Sequence, residues 1–228
     1  MCDVEHFNGE GRVLLMAMTN RDKQIIKALD KFRVMDRDSI ATLFFAGLKS
    51  PKDAANNVLL RLLRDGEIQR STAFIPYCYF GPNILMKQQS QKIGHFLAIL
   101  NVYKEMLRFG ELESFLVEPK YGKKKDGCCE PDIYAHFRRT PFFIEVQKTV
   151  YSTKQMDEKL ERYVQLYESG IIAKPFPHVL ILSDQRYAID DNYPFKVFQS
   201  ESFTEFLASL KSAPVSKPSD RGVRIVVK

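Results

Sequence analysis

No run of apolar residues in this chain of 228 approaches the ~18 that a membrane-spanning helix requires. The N-terminus also lacks the basic-then-apolar order of a secretory signal, so the expectation is a cytoplasmic protein with no membrane partner. Cysteine is scarce. Cys2, Cys78, Cys128 and Cys129 have the spacing of neither a zinc site nor a small disulfide scaffold, which leaves reduced structural thiols. A strong basic tail and an internal repeat are both missing. The one dense cluster of like charge is Lys120, Lys123, Lys124 and Lys125, a solvated loop or a set of backbone contacts to a polyanion.

What remains is the composition of a packed globular protein, 45% hydrophobic and 27% charged, with a net charge of +6 that leans toward polyanionic partners. Residues 1–18 carry no clear pattern. From Thr19 the pattern sharpens. TNRDKQIIKALDKF opens on a capping residue, and Ile25, Ile26, Leu29 and Phe32 fall at helical spacing. A second short helix opens on Asp36 or Asp38. A third starts at Ser50-Pro51, with a cap and a proline in the first turn, and stops at Asp65-Gly66. EIQRSTAFIPYCYFGP then reads as two short strands with a turn near Ser71–Ala73.

Three short helices and a two-stranded wing make a winged helix-turn-helix over residues 1–83, in which the third helix is the natural reader of the DNA major groove. Its outward residues are Lys52, Asp53, Asn56, Asn57 and Arg61, and Arg70 falls on the wing. Lysine and arginine hold phosphates, and asparagine can pair with an adenine edge. Winged modules also serve as protein–protein adaptors.

Pro82-Asn83 separates this module from residues 84–212. MKQQSQKIGHFLAILNVYKEMLRFGE is a long amphipathic helix. Three strands follow in ESFLVEPKY, PDIYAHFRR and PFFIEVQKTV, with a turn expected at Thr140-Pro141. TKQMDEKLERYVQLYESG is a helix, PHVLILSD a fully buried strand, FKVFQS a short strand and SFTEFLASLK a last helix. The order predicts an α/β domain with a mixed sheet flanked by helices. Residues 213–228, rich in Pro, Ser and Lys, read as a mobile tail in which RIVVK could add an edge strand.

One residue in this domain is out of place. Glu145 lies between Ile144 and Val146 in an apolar strand, and a buried charge is costly unless paired or bound to a cation. A hairpin brings Asp132, at the head of the preceding strand, beside it. Two carboxylates there would repel unless a hard divalent cation such as Mg²⁺ or Mn²⁺ sat between them. Alternation puts Glu145 and Gln147 on one face and Ile144, Val146 and Lys148 on the other. On the next helix, Lys159 and Tyr163 are four apart, so they share a face and could orient a phosphate. The competing reading gives Lys159 to neighbouring acids and Tyr163 to the core.

At these residues the chain resembles the PD-(D/E)XK nuclease superfamily, through Pro131-Asp132 and Glu145-Val146-Gln147. That resemblance implies that Asp132 and Glu145 bind the metal, that the Val146 carbonyl assists, and that a glutamate of the first helix joins them, Glu105 or else Glu118. Gln147 stands where the family usually has lysine, and Lys159 is the stand-in. Over roughly residues 20–185 the chain is similar to the replication-relaxation proteins of plasmids and other mobile elements, whose pattern places a helix opening on histidine, here His95, before the acidic strand pair and a Lys-x-x-x-Tyr helix. The function implied is a DNA-binding protein with a Mg²⁺-dependent endonuclease domain, a homodimer if it cuts both strands. The alternatives are a non-cleaving replication factor or regulator on a nuclease fold, and an interaction adaptor whose two acids are structural.

Overall fold

The computed structural model describes residues 18–122, 129–190 and 192–212. The N-terminal 17 residues, Lys123, Lys124, Lys125, Cys128 and the tail from Ala213 lie outside the described residues, and with them the basic-loop and mobile-tail expectations. Among the described residues the protein is mixed α/β, with six helices, a three-stranded sheet and a five-stranded mixed sheet. It forms two compact units, which part between Leu100 and Asn101, inside a helix. No described helix is long and apolar enough to cross a membrane.

The first unit begins with α1 (Asn20–Phe32), opened by a capping box in which Thr19 and Asp22 satisfy each other's backbone N–H. Asp36 caps α2 (Arg37–Phe44) through the Ser39 N–H at 2.8 Å. Pro51 starts α3 (Pro51–Arg64), while the Ser50 side chain makes no capping bond. Gly66 carries the positive φ, 77°, that follows the end of α3. Strands β2 (Gln69–Ser71) and β3 (Cys78–Phe80) pair antiparallel, as the sequence suggests. A two-residue strand that it does not suggest, β1 (Met35–Asp36), adds to the other side of β3, for the order β1-β3-β2. Ile25, Leu29, Ile40, Leu59 and Leu62 are fully buried.

Helix α4 (Lys92–Phe109) starts later than the sequence pattern, which ran from Met86. In the second unit, β4 (Leu112–Val117), β5 (Ile133–Phe137) and β6 (Thr140–Val146) pair antiparallel. Beyond helix α5 (Thr153–Glu168), β7 (His178–Leu182) and β8 (Val197–Ser200) continue the sheet in parallel, and α6 (Phe203–Ser212) follows. The β5–β6 turn is at Arg138-Arg139, not Thr140-Pro141. Both arginines take positive φ, 47° and 64°, with no glycine to advertise the turn.

The strands alternate cleanly. Phe142 and Phe137 meet Phe206 and Phe203 of α6 on one face, while Phe143 packs with Met156, Leu160 and Tyr163 of α5 on the other. Glu145 is two residues beyond Phe143, so the register carries it to the α5 face.

Candidate active site at Asp132 and Glu145

Strand β6 delivers Glu145 to the inside of the molecule. It is 2% exposed, in line with Phe143. The register that pairs Ile133 with Ile144 continues to place Asp132 opposite Glu145, just ahead of β5. Asp132 is only half-buried, and its Oδ2 accepts the Val146 backbone N–H at 2.7 Å. Val146 thus meets Asp132 through its amide.

Helix α5 supplies the compensation. Its capping box at Ser152 and Gln155 fixes where it starts, and Met156, Leu160, Tyr163 and Leu166 bury its inner side. Lys159 and Tyr163 therefore reach the same point. The Tyr163 hydroxyl donates to Glu145 Oε1 at 2.5 Å, and the Lys159 ammonium lies 2.5 Å from Oε2. The Lys159 ammonium is the counter-ion of Oε2. The charge in the strand is paired, as burial demands.

The electrostatics are unbalanced. Burial pushes the Glu145 carboxyl up, and the Asp132 charge pushes it further, against the pull of Lys159 and Tyr163. It comes to rest at about 7. Burial alone would lower the Lys159 ammonium, but Glu145 and then Asp132 more than offset this and hold it above its ordinary value. Burial first, then Glu145, drives the Tyr163 phenol well above its usual range, so it remains a donor.

The structure thus brings Asp132, Glu145, Lys159 and Tyr163 together and gives the helix pair to the strand acid itself. Gln147 is treated differently. Its side-chain nitrogen donates to the Thr149 carbonyl at 3.0 Å and its backbone N–H to Leu182 at 2.8 Å. Glu105 is occupied elsewhere in its unit, where its Oε2 accepts from the Thr204 N–H at 3.0 Å and hydroxyl at 3.1 Å at the start of α6. Glu118 donates its backbone N–H to the Asp132 carbonyl at 2.9 Å. Among the described residues no three of His, Cys, Asp and Glu gather as metal ligands, so neither glutamate completes a third donor. Sequence reasoning missed Tyr151, whose ring lies 5.5 Å from the Lys159 ammonium and whose backbone N–H is accepted by the Tyr187 hydroxyl at 3.2 Å. No spacing rule points to it, because it precedes the helix it serves.

Two carboxylates are a sparse but sufficient protein donor set for Mg²⁺ or Mn²⁺, which keep waters and share a substrate phosphate.

In the first unit the outward face of α3 carries Lys52, Asp53 and Asn57 exposed and Asn56 half-buried, and Leu60 and Arg64 extend the stripe. The Lys52 ammonium rests on Asp38 at 2.9 Å, an exposed pair that a phosphate could displace. Arg61 is not on that face. Its guanidinium lies 2.6 Å from Oδ1 of Asp22, which is 1% exposed, because position 61 falls on the α1 side of the helix. Arg70 is half-buried, 5.0 Å from the Tyr77 ring centroid.

Comparison with known proteins finds no matching family model, no matching curated protein and no matching solved structure.

Proposed function

We propose that this chain binds DNA through its first unit and hydrolyses a phosphodiester at Asp132, Glu145 and Lys159 in its second. The observation that carries this is the Lys159 ammonium 2.5 Å from Glu145, beside Asp132: two acids and a lysine, with the lysine supplied by α5 instead of the strand position held by Gln147. The succession of helix, three antiparallel strands, helix and parallel strand supports the PD-(D/E)XK reading. The three helices and the β1-β3-β2 sheet support the winged helix-turn-helix reading, and α3 then presents Lys52, Asn56 and Asn57 to DNA. Replication of plasmids or other mobile elements is the setting this combination suggests.

Asp132 and Glu145 would hold Mg²⁺ or Mn²⁺. Such an ion, when bound, polarises a phosphoryl oxygen and makes its water a better nucleophile. The residues themselves do the rest. Tyr163 fixes the orientation of Glu145. Lys159, released from Oε2, neutralises a phosphate oxygen as negative charge accumulates there. The Asp132 contact to the Val146 N–H keeps the two acids in register.

The test is incubation of supercoiled plasmid with the protein and Mg²⁺ or Mn²⁺, beside Asp132→Ala, Glu145→Ala and Lys159→Ala. Nicked or linear DNA from the wild type alone supports the site. Cleavage by Asp132→Ala at the wild-type rate refutes it. A second reading, a DNA-binding replication factor or regulator that does not cut, is favoured by the engagement of both Glu145 oxygens and by the absence of a third acid among the described residues. It predicts no product from any variant, with a mobility shift that falls steeply as salt rises.

A further inference from the structure

A concavity lies along the β7–β8 edge of the sheet. It opens where β7 and β8 begin and where α5 ends, and its volume is about 770 Å³, within the ~300–1,000 Å³ range of ligand sites. Lys174, Arg186 and Lys196 line it, all exposed, and among the described lining residues Asp190 is the one acid, with Asp157 and Glu161 near enough to add to the effect of burial in raising the Tyr193 phenol. None of the three cations makes an ion pair with an acid among the described residues. Lys174 lies over the Tyr167 ring at 5.4 Å. The wall is aromatic. Tyr193 stacks on the buried Phe195 with centroids 5.7 Å apart and planes at 23° on the α5 side of the sheet, and Phe198 and His178, 5.7 Å apart, line the cavity from the α6 side. Burial and the nearby Lys196 lower the His178 imidazole, so it adds no further charge at neutral pH.

We infer that this cavity binds a nucleoside phosphate, with its base against the Tyr193 ring and its phosphate among Lys174, Arg186 and Lys196. An apolar ligand would leave three cations unanswered, and inorganic phosphate would leave the aromatic wall uncovered. Arginine and lysine recognise phosphate by charge-assisted hydrogen bonds, and every base offers a face to an aromatic ring. The same chemistry is carried by a free nucleotide and by the end of a DNA strand. The inference does not rest on hydrolysis at Glu145, which lies three residues further along β6 than Phe142, the register partner of His178.

The experiment is titration calorimetry of the full chain with deoxyadenosine 5′-monophosphate, deoxyadenosine and inorganic phosphate. The nucleotide should bind at least about tenfold more tightly than either fragment, since each fragment forfeits one of the two contact sets. Arg186→Ala combined with Lys196→Ala should weaken it by at least about tenfold, while Lys154→Ala, an exposed cation elsewhere on α5, leaves it unchanged. Both altered side chains are exposed, and an unaltered urea midpoint shows that the fold is intact. A 5′-phosphorylated tetradeoxynucleotide that displaces the nucleotide identifies a strand end as the occupant, and one that does not identifies the free nucleotide. No nucleotide binding, or binding indifferent to the loss of Arg186 and Lys196 in a folded variant, overturns the inference.

Discussion

Replacing Lys159 with Met keeps the buried stem and removes the charge that Oε2 of Glu145 faces. The effect should depend on pH in a way the structure specifies. The Glu145 carboxyl rises from an ordinary 4.5 to about 7, chiefly through burial and then Asp132. Below 4.5 both folded and unfolded chains hold its proton, and burial of the group costs nothing electrostatic. Between 4.5 and 7 the unfolded chain gives the proton up and the folded one keeps it, so stability declines by ~1.4 kcal/mol per pH unit, ~3 kcal/mol in all. In the wild type the decline stops near 7, because Lys159 and Tyr163 allow the carboxylate to form. In Lys159→Met it continues, because the folded carboxyl titrates higher still. The two proteins should therefore differ less at about pH 5.5, where Glu145 is neutral and the smaller attraction of Asp132 for the ammonium is what remains. They should separate by ~2–3 kcal/mol at about pH 9, short of the ~3–5 kcal/mol that a broken buried pair can cost. Urea unfolding of both proteins at several pH values reads the difference directly, and other titrating groups cancel in it. Curves that stay parallel from pH 5.5 to pH 9 would refute the idea that Lys159 is the counter-ion of Glu145.

Tyr163→Phe leaves the packed ring but strips Glu145 Oε1 of its donor, and should cost ~1.5–3 kcal/mol in urea midpoints above pH 7, less below it. Asp132→Asn retains an oxygen for the Val146 N–H and removes a charge that both repels Glu145 and attracts Lys159, so it should abolish cleavage of plasmid with the urea midpoint little changed. Arg61→Ala leaves Asp22 buried without its partner and should destabilise the first unit by ~3–5 kcal/mol, measured without DNA. The Asp22 carboxyl is itself held low: burial raises it, and Arg61 and Thr19 outweigh that. Its contribution is present above 3.8 and lost as pH falls below, so the Arg61→Ala deficit should shrink in acid. Asn57→Ala, on the exposed face of α3, should weaken binding to duplex DNA and leave the urea midpoint alone.

Local signals in the sequence were faithful where one element decides its own form. Thr19, Asp36 and Pro51 mark helix starts, and the 3.6-residue period of Met156, Leu160 and Tyr163 marks the buried face of α5. Alternation along β6 is enough to put Glu145 on the face opposite Ile144. What was not legible depends on pairs distant in the chain. The spacing of α3 could not show that Arg61 belongs to Asp22, 39 residues away, rather than to DNA. A two-residue strand such as β1 has too few side chains for a period, and the Arg138-Arg139 turn carries none of the usual turn residues. The interaction of Lys159 and Tyr163 with Glu145 was within reach of the sequence only as far as a shared helix face.

The position of Glu145 also bears on how the sheet finds its alignment. Side chains on a strand alternate, so a slip of β6 by one residue would turn Glu145 toward the α6 face, into the slot of Ile144 beside the fully buried Ile133 and Leu180. Phenylalanines 142 and 143 are adjacent and chemically equal, and burial alone does not distinguish one placement from the other. The carboxylate does. Strand β6 settles in the alignment that presents Glu145 to α5, so the one charge in the strand acts as the key that sets it in place.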